Sequence, residues 1–212
     1  MMEFIKQPMA IEHRSMKLIA PYLAGLSLSE AEKKVYSRII HAAGDVEYAP
    51  IIRISKTAVA AGIAALRSGA DIYTDVEMVR TGINKRKLAS FGGTVHCRIA
   101  DPEIAAQAKA QGVTRSLMAM RSFGAALTGS VIAIGNAPTA LFEVLRLVRE
   151  AGVRPACIVG IPVGFVGAAD SKKELAENGL VPYITVEGTK GGSPIAAAAV
   201  NAMLYEIDDG RD

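Results

Sequence analysis

The 212-residue chain contains no tryptophan, and aromatic residues make up only 5% of it. Surfaces that bind single-stranded nucleic acid stack bases on aromatic side chains. That scarcity, with a net charge of only +3 and a pI near 8.9, argues against a nucleic-acid partner and leaves acidic small molecules in play. The two cysteines, Cys97 and Cys157, each fall inside an apolar strand-like run and provide no disulfide framework. Both are expected to be buried small residues of a cytoplasmic protein. None of the three histidines, His13, His41 and His96, pairs with another at metal-ligand spacing, so neither metal nor other cofactor is expected. No apolar run reaches the roughly 18 residues that a membrane span needs. Residues 1–8 lack the apolar core of a signal peptide, and no membrane partner is expected.

What is there is globular. Half the residues are hydrophobic and 21% are charged, which suits one domain over residues 1–212 with a sizeable core. The last third alternates in a regular way: strands are expected over 130–135, 156–160 and 182–186, and helices over 138–151, 171–178 and 194–206. That order implies a parallel sheet with helices on both faces. The alanine-rich last helix is expected to be buried or to lie at a subunit interface. Upstream, a helix is expected over 56–68, strands over 71–74 and 94–99, and a helix from Pro102 to Gly112 capped by Asp101. Thr114 is placed to cap a further helix running to about Leu127. Ser29-Glu30-Ala31-Glu32 is a capping box. The helix it opens carries Val35, Tyr36, Ile39 and Ile40 on one stripe, His41 in its last turn and Gly44 as a C-cap. The acidic end, residues 208–212, is expected to fray.

Three glycine-rich turns follow the last three expected strands: Gly135-Asn136-Ala137-Pro138-Thr139, then the stretch from Gly160 to Gly167, then Gly188-Thr189-Lys190-Gly191-Gly192-Ser193. In an open parallel sheet all three lie on one edge, where ligands bind near helix N-termini. Single turns of this kind also occur as tight left-handed connections with no ligand. None is a dinucleotide fingerprint or a P-loop. Thr114-Arg115-Ser116 at a helix start, and Lys172 after the second turn, would present donors to carboxylates. His41 stands at a helix C-terminus, which favours its imidazolium form and suits a proton donor. Position alone leaves it open between that role and an ordinary surface helix end. Arg38, one turn earlier, is expected to reach the same ligand. His13 reads as exposed and His96 as packed in a strand.

These segments together resemble the precorrin-8X and cobalt-precorrin-8 methylmutases of corrin biosynthesis, over roughly residues 11–204. The resemblance rests on Arg38-Ile39-Ile40-His41-Ala42 with Gly44, Asp75 with Glu77-Met78-Val79 and Gly82, and Thr114-Arg115-Ser116. It rests further on Ala133-Ile134-Gly135-Asn136-Ala137-Pro138-Thr139-Ala140-Leu141-Phe142, Pro162-Val163-Gly164-Phe165-Val166-Gly167-Ala168-Ala169 with Ser171-Lys172, and Gly191-Gly192-Ser193. It implies a flavodoxin-like, three-layer α/β/α fold with a mostly parallel central sheet, and a homodimer. It also implies an isomerase that moves a methyl group from carbon 11 to carbon 12 of an anionic tetrapyrrole by a [1,5]-sigmatropic shift, with His41 as proton donor. The substrate contacts it implies begin with Ser15, Arg38, Thr81 and Gly82. They continue through Arg115, Ser116, Asn136 and Ala137 to Gly164, Phe165, Lys172, Gly192 and Ser193. Departures from the family pattern are Met16, Pro21, which should shorten or reshape the first helix, and Thr189-Lys190. A corrinoid carrier without turnover and a flavodoxin-like nucleotide or phosphate binder are the competing readings.

Overall fold

The computed structural model describes residues 5–207; the expected fraying of 208–212 lies outside them. Helices α1 (Pro8–Leu23) and α2 (Glu30–Ala43) precede a short edge strand β1 (Ile52–Ile54) and α3 (Ala58–Arg67). Then come β2 (Ile72–Thr74), α4 (Glu77–Gly82), α5 (Lys85–Ala89), β3 (Val95–His96), α6 (Pro102–Gln111) and α7 (Arg115–Phe123). The regular part follows: β4 (Val131–Ile134), α8 (Pro138–Glu150), β5 (Cys157–Gly160), α9 (Ala168–Glu177), β6 (Tyr183–Val186) and α10 (Ser193–Tyr205).

The six strands lie in the order β1-β6-β5-β4-β2-β3, with only β1 antiparallel. Numbered among themselves, the five parallel strands have the 2-1-3-4-5 order of flavodoxin-like sheets. Side-chain alternation splits the core. Val131, Ala133, Cys157 and Val159 pack under α2, α3, α4 and α10. Ile132, Ile134 and Ile158 pack under α7, α8 and α9. Buried on both faces, these strands read as unbroken apolar runs.

The capping box forms as expected: the Glu32 amide donates to the Ser29 hydroxyl and the Ser29 amide to the Glu32 carboxylate, and Gly44 ends α2 with φ 62°. Several expectations change. Asp101 stands at the N-cap of α6 without capping it, because its carboxylate takes the Arg98 guanidinium at 2.7 Å. Pro21 does not shorten α1: it sits in the last turn, and the helix runs on to Leu23. The 94–99 strand shrinks to Val95–His96, since it pairs only with the three-residue β2. Strand β1 was not anticipated, although Ile52-Arg53-Ile54 has the alternation of a half-buried strand. Its register is set by Ile52 opposite Val186, and the Tyr36 hydroxyl donates to the Ile52 carbonyl at 3.0 Å. Helix α10 is interior, with Ile195, Ala196, Ala199, Val200 and Met203 buried. Cys157 is buried as expected, whereas Cys97 is half-buried just beyond β3.

Candidate functional site: the carboxyl edge of the sheet

The parallel strands β2, β4, β5 and β6 end along one edge, and the chain order reverses between β2 and β4. That switch point is where doubly wound sheets open a crevice for ligand anions. Here the chain fills it with its own carboxylate. Asp75, directly after β2, is fully buried and accepts the backbone N–H groups of Gly135 (3.0 Å), Asn136 (2.8 Å) and Ala137 (2.7 Å). Burial raises its pKa, and the three N–H donors oppose that rise. The donors expected to face a ligand at Asn136 and Ala137 are therefore spent internally. The Asn136 residue remains exposed while Ala137 is buried. Of the three glycine turns on which the nucleotide-binding alternative rests, the first therefore has these N–H groups taken by Asp75.

The three glycine turns are joined into one rim. The Gly192 amide donates to the Ile161 carbonyl at 2.9 Å, and the Gly164 amide to the Thr189 carbonyl at 3.1 Å. A β-carbon on Gly135 would stand 2.6 Å from the Ser193 Cα, so this glycine permits a close backbone approach. At Gly191 (φ 156°) a β-carbon would meet the carbonyl oxygens of Ile161 and Pro162 at 2.6 and 2.7 Å. On the other flank Thr114 caps α7 by accepting the Leu117 amide, and its hydroxyl lies 2.8 Å from that of Thr139 in the first turn of α8. Arg115, the first residue of α7, is exposed and enters no ion pair among the described residues; Ser116 beside it is buried.

His41 comes to this rim through helix packing. Lys34 pairs with Glu206 at one end of the α2–α10 contact, at 2.7 Å. At the other end Lys190 pairs with Asp45 (2.6 Å) and Glu47 (3.0 Å) and lies over the Tyr48 ring. The two helices are thus antiparallel, and the His41 end of α2 abuts the third glycine turn. The His41 side chain is on an exposed position of that last turn.

Other expected contacts lie elsewhere or are engaged. Arg38 pairs with Glu12 at 2.5 Å and stands over Tyr205. Arg38, Glu12 and Met16 line a cavity of about 320 Å³ between α1, α2 and α10. Ser15 donates to the Ile11 carbonyl within α1. The Thr81 hydroxyl bonds the Glu77 carbonyl within α4, and Gly82 lets α4 approach α10, where a β-carbon would lie 2.8 Å from that of Ala197. Gly192 and Ser193 are buried at the rim, while Phe165 projects from it at 94% exposure. Helix α9 starts earlier than expected, at Ala168, and the Lys172 side chain is buried. Asp75 and Lys190, which hold the rim together, escaped the sequence reading as site residues. The signal for Asp75 was its place directly after a strand at the carboxyl edge. His13 is exposed, and His96 stacks on Tyr73 and pairs with Asp71 at 2.9 Å. Among the described residues no group of three or more His, Cys, Asp or Glu could hold a metal, and no helix is long and apolar enough to cross a membrane.

A family model described as precorrin-8X methylmutase matches residues 10–206. The chain is 39% identical over 204 residues to the cobalt-precorrin-8 methylmutase of Priestia megaterium, covering 96% of this chain and 90% of that one. It is 43% identical over 202 residues to the precorrin-8X methylmutase of a Sinorhizobium species, covering 95% and 96%. A solved precorrin-8X methylmutase from Thermus thermophilus superposes with a TM-score of 0.85 at 38% identity, over 93% of this chain and 95% of that one.

Proposed function

The chain belongs to the precorrin-8X methylmutase family, a family of isomerases, and from that premise we propose that it moves a methyl group from carbon 11 to carbon 12 of precorrin-8 or its cobalt form. The shift is intramolecular and neither adds nor removes atoms, so the protein's task is to bind, orient and lend a proton. His41 is the proposed donor. Protonating a ring nitrogen or conjugated carbon makes the macrocycle more electron-poor and eases migration, and the proton returns as the product forms. His41 stands exposed in the last turn of α2, beside the third glycine turn, where its side chain is free to meet a bound macrocycle. Arg115 and the Asn136 side chain meet the peripheral carboxylates of the substrate, and the exposed Phe165 lies against its apolar face. The observation that carries this reading is the union of three glycine turns and the His41 end of α2 on one sheet edge.

A homodimer belongs to the same reading. Helix α1 exposes Ile11, Leu18 and Tyr22, spaced to share one face, with Leu18 at 65% exposure. A cytoplasmic location accords with a biosynthetic enzyme of this family.

The test is the visible spectrum over time after adding protein to precorrin-8 and, separately, to its cobalt form. Wild type is expected to convert one of them to the corrin product, and His41→Ala to do so about 100-fold or more slowly. An equal, static shift in both proteins means binding without catalysis, and conversion by His41→Ala at the wild-type rate removes His41 from the mechanism.

A further inference from the structure

Lys172 has the largest of the fully buried side chains, at 1% exposure. Its ammonium donates to the backbone carbonyl of Lys190 at 2.5 Å. The charged groups around it are matched to one another. In the cavity of about 420 Å³ that it borders, Arg53 of β1 pairs with Glu187 at 2.8 Å, and Lys173 lies 3.9 Å from Glu177 within α9. No carboxylate pairs with Lys172 among the described residues. A buried cation that gives its hydrogen bond to one loop carbonyl spends its interaction on that loop. The same residue, Lys190, sends its own side chain outward to Asp45 and Glu47, just past the C-terminal end of α2. A continuous link therefore runs from α9 through the third glycine turn to the helix end that carries His41. The turn also receives the Gly164 amide at Thr189, so the second glycine turn hangs from the same link.

Resting on the methylmutase reading, we propose that Lys172 is a positioning residue: it holds the third glycine turn, through the Lys190 carbonyl, against the His41 end of α2, and does not itself touch substrate.

Hydrogen exchange read by mass spectrometry on ligand-free protein tests this without reference to activity. In Lys172→Met, peptides covering 160–167 and 187–193 are expected to exchange at least about tenfold faster, while 131–134 stays at the wild-type rate. Unchanged exchange in both loops overturns the proposal. With a converted substrate, the same variant is expected to lose kcat at least about tenfold with KM within about twofold, whereas loss of a contact that holds substrate and transition state equally raises KM and leaves kcat unchanged. Should Lys172→Met not fold, Lys190→Met cuts the surface half of the link. Faster exchange over 187–193 and a lowered kcat are then expected, and no change in either overturns the proposal. If neither form of precorrin-8 is converted by wild type, the methylmutase reading fails while the exchange result still decides the link.

Discussion

Asp75 does with one side chain what a bound anion does in related sheets: it collects the N–H groups that converge at the switch point. An amide in its place would turn one of those acceptors into a donor facing donors. Asp75→Asn is therefore expected to lower stability by about 3 kcal/mol, read from urea unfolding. Lys172 gives a second residue-scale expectation. Burial lowers its pKa from 10.5 to about 8. Between those values the unfolded chain binds a proton that the folded chain has lost, so this group's contribution makes stability rise with pH across that window. Compared at pH 7.5 and 10, Lys172→Met should lack up to about 3 kcal/mol of that rise; parallel pH profiles would contradict it. Residue type alone gives neither role. Asp75 and Lys172 stand in the sequence as an acidic residue and a lysine, and only their burial decides what they do.

Among the elements, the legible ones were those whose ends carry local chemistry. The capping box and Gly44 bound α2, and proline near the start with Gly152 after the end bound α8, because caps act within a few residues. The strands β1 and β3 were misjudged because an edge strand's length depends on its partner, which is remote in sequence. Gly135 belongs to this scale as well. Its φ is not positive, so its need for glycine comes from the approach of α10 at Ser193. Gly135→Ala is expected to destabilise by about 1–3 kcal/mol through overpacking. It should also slow turnover, and wild-type values of both would show that the α10 start can retreat.

The whole molecule is a flavodoxin-ordered sheet whose ligand crevice is closed by Asp75, leaving an open rim above it. Its exposed apolar residues on α1 and at Val166, the last at 89% exposure, suit burial in an assembly. Sedimentation is expected to give a dimer for wild type and a smaller species for Leu18→Glu; a monomeric wild type would overturn the dimer reading. The sequence by itself determined the alternating strands and helices, the glycine turns at their junctions and the family, since each depends on local periodicity, turn chemistry or motif order. The tertiary structure alone decided that Arg38 serves Glu12 and Tyr205, that Asp75 occupies the switch point, and that Lys172 faces inward to Lys190. Those choices depend on which groups meet across long separations in the chain, and on the burial that leaves each one a single partner.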